Sequence, residues 1–291
     1  MQIALHAGAH ATDEDRLITC LRRNHAQMAR SGVGVPPPSS YRKLLRDILN
    51  SAEGTGLAAD TRDMVLDAIG DTGGMARLLL SNQGVFGTQK MAVSGAVLYP
   101  AAEARLGLLQ QIFAGDEIAL FLGLRSPAMF LPALLDGTSF RTVAELLRGS
   151  DPEQMRWSHL LTRIRSAFPD MPVTVWCNED TPLIWGRILR AMTGSAASMP
   201  IEGEFALLSE IMTPPGFERL EAYLAEHPDL TGPQRQKVIA AFLDKYADED
   251  AIEVELDVPG WTAGIIDRLT AIYDADLDTI RRIDGVRVIA P

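Results

Sequence analysis

Four short apolar runs, each followed by a stretch with helical spacing, constrain this chain more than any other feature. Ile3-Ala4-Leu5 lies near the start, and Arg77-Leu78-Leu79-Leu80-Ser81 ends before Asn82, Gln83 and Gly84. Glu117–Leu124 (EIALFLGL) is the clearest, and Pro172–Cys177 (PVTVWC) is the fourth. Runs without polar alternation suit strands buried on both faces, and such strands alternating with helices indicate a mostly parallel sheet covered on each side. The expectation is a three-layer α/β fold with parallel strands near 2–6, 76–81, 117–124 and 172–177. Ligands on such sheets bind beyond the carboxyl ends of the strands. Gly8–Asp15, Ser81–Gly84, Leu124–Pro127 and Cys177–Asp180 therefore share one rim.

The connecting segments carry the helices. Leu17, Ile18, Leu21 and Met28 predict a helix from about Asp13 to Ser31, stopped by the glycines and prolines of 32–38. Ser40 is expected to cap the amphipathic helix YRKLLRDILNSA, with another at TRDMVLDAIG and one over about 102–114. Further helices are expected at SPAMFLPALL, FRTVAELLRG and DPEQMRWSHLLTRIRSAF. Asp180-Thr181-Pro182 reads as a cap and first turn. The segment 195–258 is less regular, with helices near 216–226 and 232–247. A long helix follows in WTAGIIDRLTAIYDADLDTIRRI, and 286–289 is an edge strand or tail. With no internal repeat or low-complexity segment, residues 1–291 read as one domain.

Composition removes some function classes. A formal net charge of −11 gives no general footprint for nucleic acid or an anionic membrane surface. It leaves room for a local basic pocket and an anionic small molecule. Cys20 and Cys177 form neither a disulfide framework nor zinc spacing, which suits a reducing, cytoplasmic setting. Met1-Gln2 leads straight into the first strand with no basic n-region, and no apolar stretch is long enough to span a membrane.

Ala7-Gly8-Ala9 joins the first strand to the first helix, the arrangement in which free backbone N–H groups cradle a phosphate. The stretch His6-Ala7-Gly8-Ala9-His10-Ala11-Thr12-Asp13-Glu14-Asp15 resembles the loop His-x-Gly-x-His-Lys-Thr-Gly-Thr-Thr of bacterial members of the sulfotransferase family, which has a P-loop-like fold. Leu124-Arg125-Ser126-Pro127 is similar to the family's Arg-Asp-Pro motif, with Ala133 where its serine would fall, and DRLTAIYDADLDTIRRIDGVRVIAP resembles the family's last helix and tail. The resemblance implies that 3′-phosphoadenosine 5′-phosphosulfate, if used, would meet Gly8, Ala9, Thr12, Arg125 and Ser126. It also implies acceptor-binding elements in 195–258.

The departures from the family pattern are chemical. Ala11 replaces the lysine that holds the 5′-phosphate and the transferring sulfuryl oxygens, and so removes the electrostatic part of group transfer. Asp13, Glu14 and Asp15 replace hydrogen-bond donors. A carboxylate about 6 Å from one ligand charge costs roughly 3 kcal/mol at an effective dielectric of about 20. That is about a hundredfold in affinity. The same acids suit a helix start, with Thr12 and Asp15 spaced as a capping box. The loop reads as a phosphate cradle that has been filled in.

Other candidates have two readings each. Arg125 is placed either for a bidentate phosphate contact or for pairing with a rim carboxylate such as Glu179. His10 is either a general base or a loop residue bonded to a nearby carbonyl. His6 and His10 with Asp13 or Glu14 make a poor metal set, because strand-to-loop geometry does not gather them. Asn178-Glu179-Asp180 either hold an acceptor hydroxyl or start the helix at Pro182. Trp157, Trp176, Trp185 and Trp261 have no stacking pattern and read as core or groove walls.

The expected function is a sulfotransferase-like pseudoenzyme that binds an unidentified small molecule or protein. The alternative is an active sulfotransferase that uses displaced residues such as Arg125 and His10 on a hydroxyl acceptor.

Overall fold

The computed structural model describes residues 1–52, 56–70, 72–195, 199–252 and 258–291. The apolar runs become β1 (Gln2–His6), β3 (Arg77–Ser81), β6 (Glu117–Leu124) and β7 (Val173–Cys177). Two strands join them in one sheet, β2 (Val33–Gly34) and β8 (Val286–Ile289). A separate antiparallel hairpin pairs β4 (Val93–Ser94) with β5 (Val97–Leu98). The main sheet has the order β2-β3-β1-β6-β7-β8, and every neighbouring pair is parallel.

Register follows from burial. Leu5 lies between Leu80 and Leu120, and His6 between Ser81 and Phe121, so the strands end level on the same rim. Alternate residues feed two cores. Ile3, Leu5, Leu78, Leu80, Leu120 and Leu122 pack against helices Pro38–Ala52, Ala102–Ile112, Pro127–Leu135, Trp157–Ala167 and Ala263–Ile280. Ala4, Leu79, Ala119, Phe121 and Trp176 pack against helices Arg16–Arg23 and Thr181–Thr193. Helices thus cover both faces of the sheet. Helices Ala206–Ile211, Pro214–Glu226 and Gly232–Tyr246 share a small third core around Leu208, Leu220 and Ile239.

Several local expectations need correction. The first helix begins at Arg16 rather than Asp13, because Ala11, Glu14 and Asp15 all have left-handed φ values of 52°, 47° and 64°. It also stops at Arg23. The Asn24 amide donates to the carbonyls of Cys20 and Glu202 and accepts from Glu202 N–H, and a short helix resumes over His25–Arg30. Thr12 is no cap: its hydroxyl donates to the Ala9 carbonyl at 2.6 Å. Ser40 likewise lies inside a helix that starts at Pro38, and donates to the Pro37 carbonyl.

Asp180 precedes helix Thr181–Thr193 without a side-chain cap bond. FRTVAELLRG holds only the helical turn Val143–Leu146, ended by left-handed Arg148 and Gly149. The helix expected across DPEQMRWSHLLTRIRSAF is split by extended Met155 and Arg156. β2 escaped the periodicity argument because two residues cannot show a period.

Cys20 and Cys177 are buried free thiols. Among the described residues, no helix is long and apolar enough to cross a membrane.

Candidate functional site

The connection leaving β1 leads toward β2 and the one leaving β6 toward β7, so they diverge above the β1/β6 edge. A crevice at the carboxyl ends of diverging connections is where ligands usually sit on such sheets. Here the backbone continues the ladder across it. Ala7 N–H donates to the Phe121 carbonyl at 3.0 Å, Ala9 N–H to Gly123 at 3.1 Å, and Gly123 N–H back to Gly8 at 2.7 Å. Gly8 has φ +101°, and a Cβ there would sit 3.2 Å from that of Gln83. A glycine is needed for the turn, whether or not an anion ever visits it.

The next residues are held as firmly. Both the backbone N–H and Nδ1 of His10 meet the Tyr99 hydroxyl, at 3.0 and 2.9 Å. Tyr99 is fully buried among Phe86, Phe130 and Trp157. Burial lowers the His10 pKa to about 4. His6 lies against the Trp176 ring, its Nδ1 is 3.0 Å from the Ser81 hydroxyl, and burial lowers its pKa too. His10 and His6 are therefore neutral rings at pH 7.

The three acids divide their work. The Asp13 carboxylate accepts the Leu17 N–H at 3.3 Å, so it takes the helix-start role expected of Thr12 and Asp15. Asp15 instead grips Arg42 through two bonds of 2.6 Å, and these hold its carboxyl below the usual range. Glu14 is exposed and reaches Arg16 at 3.2 Å. The loop's negative charge is thus partly matched by Arg42 and Arg16.

Arg125 does not pair directly with Glu179. Its guanidinium donates to the Ala11 carbonyl, and its own carbonyl accepts Trp157 Nε1–H at 2.9 Å. Glu179 accepts the Ser126 N–H at 2.7 Å and the Tyr273 hydroxyl at 3.3 Å. It still lies close enough to favour the Arg125 charge against burial. The Ser126 hydroxyl is buried with no partner among the described residues. Gly8, Ala9, His10, Thr12 and Arg125 are therefore brought together: Gly8 and Ala9 bond Gly123 of β6, Thr12 bonds Ala9, His10 bonds Tyr99 and Arg125 bonds Ala11, with Ser126 beside them.

Of the tryptophans, Trp157, Trp176 and Trp185 are buried and Trp261 partly so, as expected of core or wall residues. Among the described residues, no group of three or more His, Cys, Asp or Glu side chains is placed to hold a metal ion.

The sequence reading missed the open part of the rim. A cleft of about 520 Å³ lies between helix Pro38–Ala52 and the loop after β3, with Arg42, Lys43, Arg46, Arg105, Asn82 and Thr88 on its walls. The signal was present as three bases within five residues, RKLLR, in a strongly acidic chain.

No family model, no curated protein and no solved structure matches this chain. The fold defines a parallel α/β protein with helices on both faces and a rim closed at β1/β6 and open beside β3.

Proposed function

We propose that this chain is a sulfotransferase-like protein that works as a binding protein, its donor loop closed by its own backbone. The observation that supports this is the bonding of the β1 loop. The N–H groups of Ala7, Ala9 and His10 reach Phe121, Gly123 and Tyr99, and Arg125 lies on the Ala11 carbonyl. A donor phosphate here would have to displace those partners, and each buried group left unpaired costs about 1–3 kcal/mol. Ala11 supplies no charge in return.

The active-sulfotransferase reading asks His10 to accept a proton from a hydroxyl. With a pKa of about 4 the ring is a poor base at neutral pH. The test is calorimetry with adenosine 3′,5′-bisphosphate, the donor without its sulfuryl group. No binding that depends on Arg125 is expected at the β1 loop. A micromolar dissociation constant lost in Arg125→Ala would refute the proposal and restore the enzyme reading.

A further inference from the structure

The cleft beside β3 has the opposite character to the closed loop. Its walls carry three arginines and a lysine, and no carboxylate lines it among the described residues, although the whole chain is acidic. The four bases are not equivalent. Arg42 spends its fork on Asp15 and its Nε on the Ser81 carbonyl, so it acts as a wall. Arg105 is buried and donates to Asn50 and to the Val85 carbonyl, which sets the floor.

Lys43 and Arg46 stand differently. Lys43 has no ion pair among the described residues, and Arg46 has only an exposed contact from Nε to its neighbour Asp47 at 3.3 Å. Such exposed contacts hold a guanidinium weakly, so its two terminal nitrogens can serve a ligand. Asn82 uses Oδ1 to accept Gly84 N–H, which leaves its amide NH₂ as the group to donate. Pro38 and Ser39, in the first turn of a 15-residue helix, line the cleft and add the positive end of its dipole. The remaining wall, around Pro38, Met91 and the glycines, is apolar.

We infer that this cleft binds a small molecule bearing a doubly charged phosphate group, with Lys43 and Arg46 as its charge-reading residues. Guanidinium and ammonium donors match phosphate oxygens, and a dianion gains about twice the attraction of a monoanion. The volume falls within the range of about 300–1,000 Å³ usual for small-molecule sites. The apolar wall suits a compact organic body behind the phosphate. The inference is independent of whether the β1 loop is closed.

The probes are phenyl phosphate and phenyl sulfate, of one shape but with different charge near pH 8, titrated by calorimetry at low salt. Phenyl phosphate is expected to bind in the millimolar range or tighter, and at least about tenfold more tightly than phenyl sulfate. The double variant Lys43→Ala/Arg46→Ala alters two exposed side chains and should fold; it should lose at least about tenfold in phosphate affinity. Arg287→Ala, beside another arginine-lined hollow at the amino ends of the strands, should lose nothing. No binding, equal affinity for the sulfate, or an unchanged double variant would overturn the inference. Loss on Arg125→Ala with the double variant unaffected would move the anion to the β1 loop, and would overturn it as well.

Discussion

Acid should destabilise this protein before most of its carboxylates titrate, and His10 sets the amount. Its ring is buried with Nδ1 against the Tyr99 hydroxyl, and burial brings its pKa down to about 4. In the unfolded chain the same ring titrates near 6.5. Between these values the unfolded state binds a proton that the folded ring refuses. This contribution is therefore intact above about pH 6.5 and is lost as pH falls toward 4. From about pH 7 to about pH 4.5, one such histidine removes roughly 2–3 kcal/mol. That is a large part of a net stability of about 5–15 kcal/mol. His6 is shifted in the same direction and steepens the loss.

The comparison variant is His10→Asn, which keeps a polar atom near the Nδ1 position but cannot titrate. Urea unfolding of both proteins over this range should show the variant losing about 2 kcal/mol less. Parallel losses in the two proteins, or the His10 imidazole titrating near 6.5 by NMR in the folded state, would refute the argument.

Two further substitutions test the supports of the rim. Tyr99→Phe removes the single hydroxyl that meets both His10 N–H and Nδ1, and should cost about 1–3 kcal/mol in urea unfolding; a change within about 0.5 kcal/mol would mean that water replaces it. Asp276→Ala removes a buried carboxylate that accepts both the N–H and the hydroxyl of Ser158, capping helix Trp157–Ala167 from the last helix. It should cost about 2–3 kcal/mol, and Asp276→Asn, which keeps one acceptor oxygen, should cost less.

A closed β1/β6 edge beside an open basic cleft changes what the chain's acidity means. The net charge of −11 argues against broad anionic partners, yet it says nothing about a cleft where a few bases face one another. At separations within a Debye length of about 8–10 Å, local charges outweigh the total. Placing Arg42 between Asp15 and the Ser81 carbonyl joins the two regions, because the same guanidinium balances the acidic loop and walls the cleft.

The sequence by itself determined the four central strands of the main sheet, their parallel arrangement and the rim. β1, β3, β6 and β7 appear within a residue of the apolar runs that predict them, because a strand buried on both faces leaves its mark locally, residue by residue. It also marked β1's loop as acidic, through Asp13, Glu14 and Asp15. The tertiary structure decided which groups those residues meet. Asp13 rather than Thr12 serves the helix start, Asp15 turns to Arg42, and Arg125 finds the Ala11 carbonyl. Tyr99, 89 residues from His10, sets the chemistry of that histidine. These pairings depend on side-chain directions and on contacts between distant segments, which no local pattern encodes. The basic cleft was written in RKLLR, but only packing against the loop after β3 turns a charged helix face, ordinarily solvated, into a concave wall.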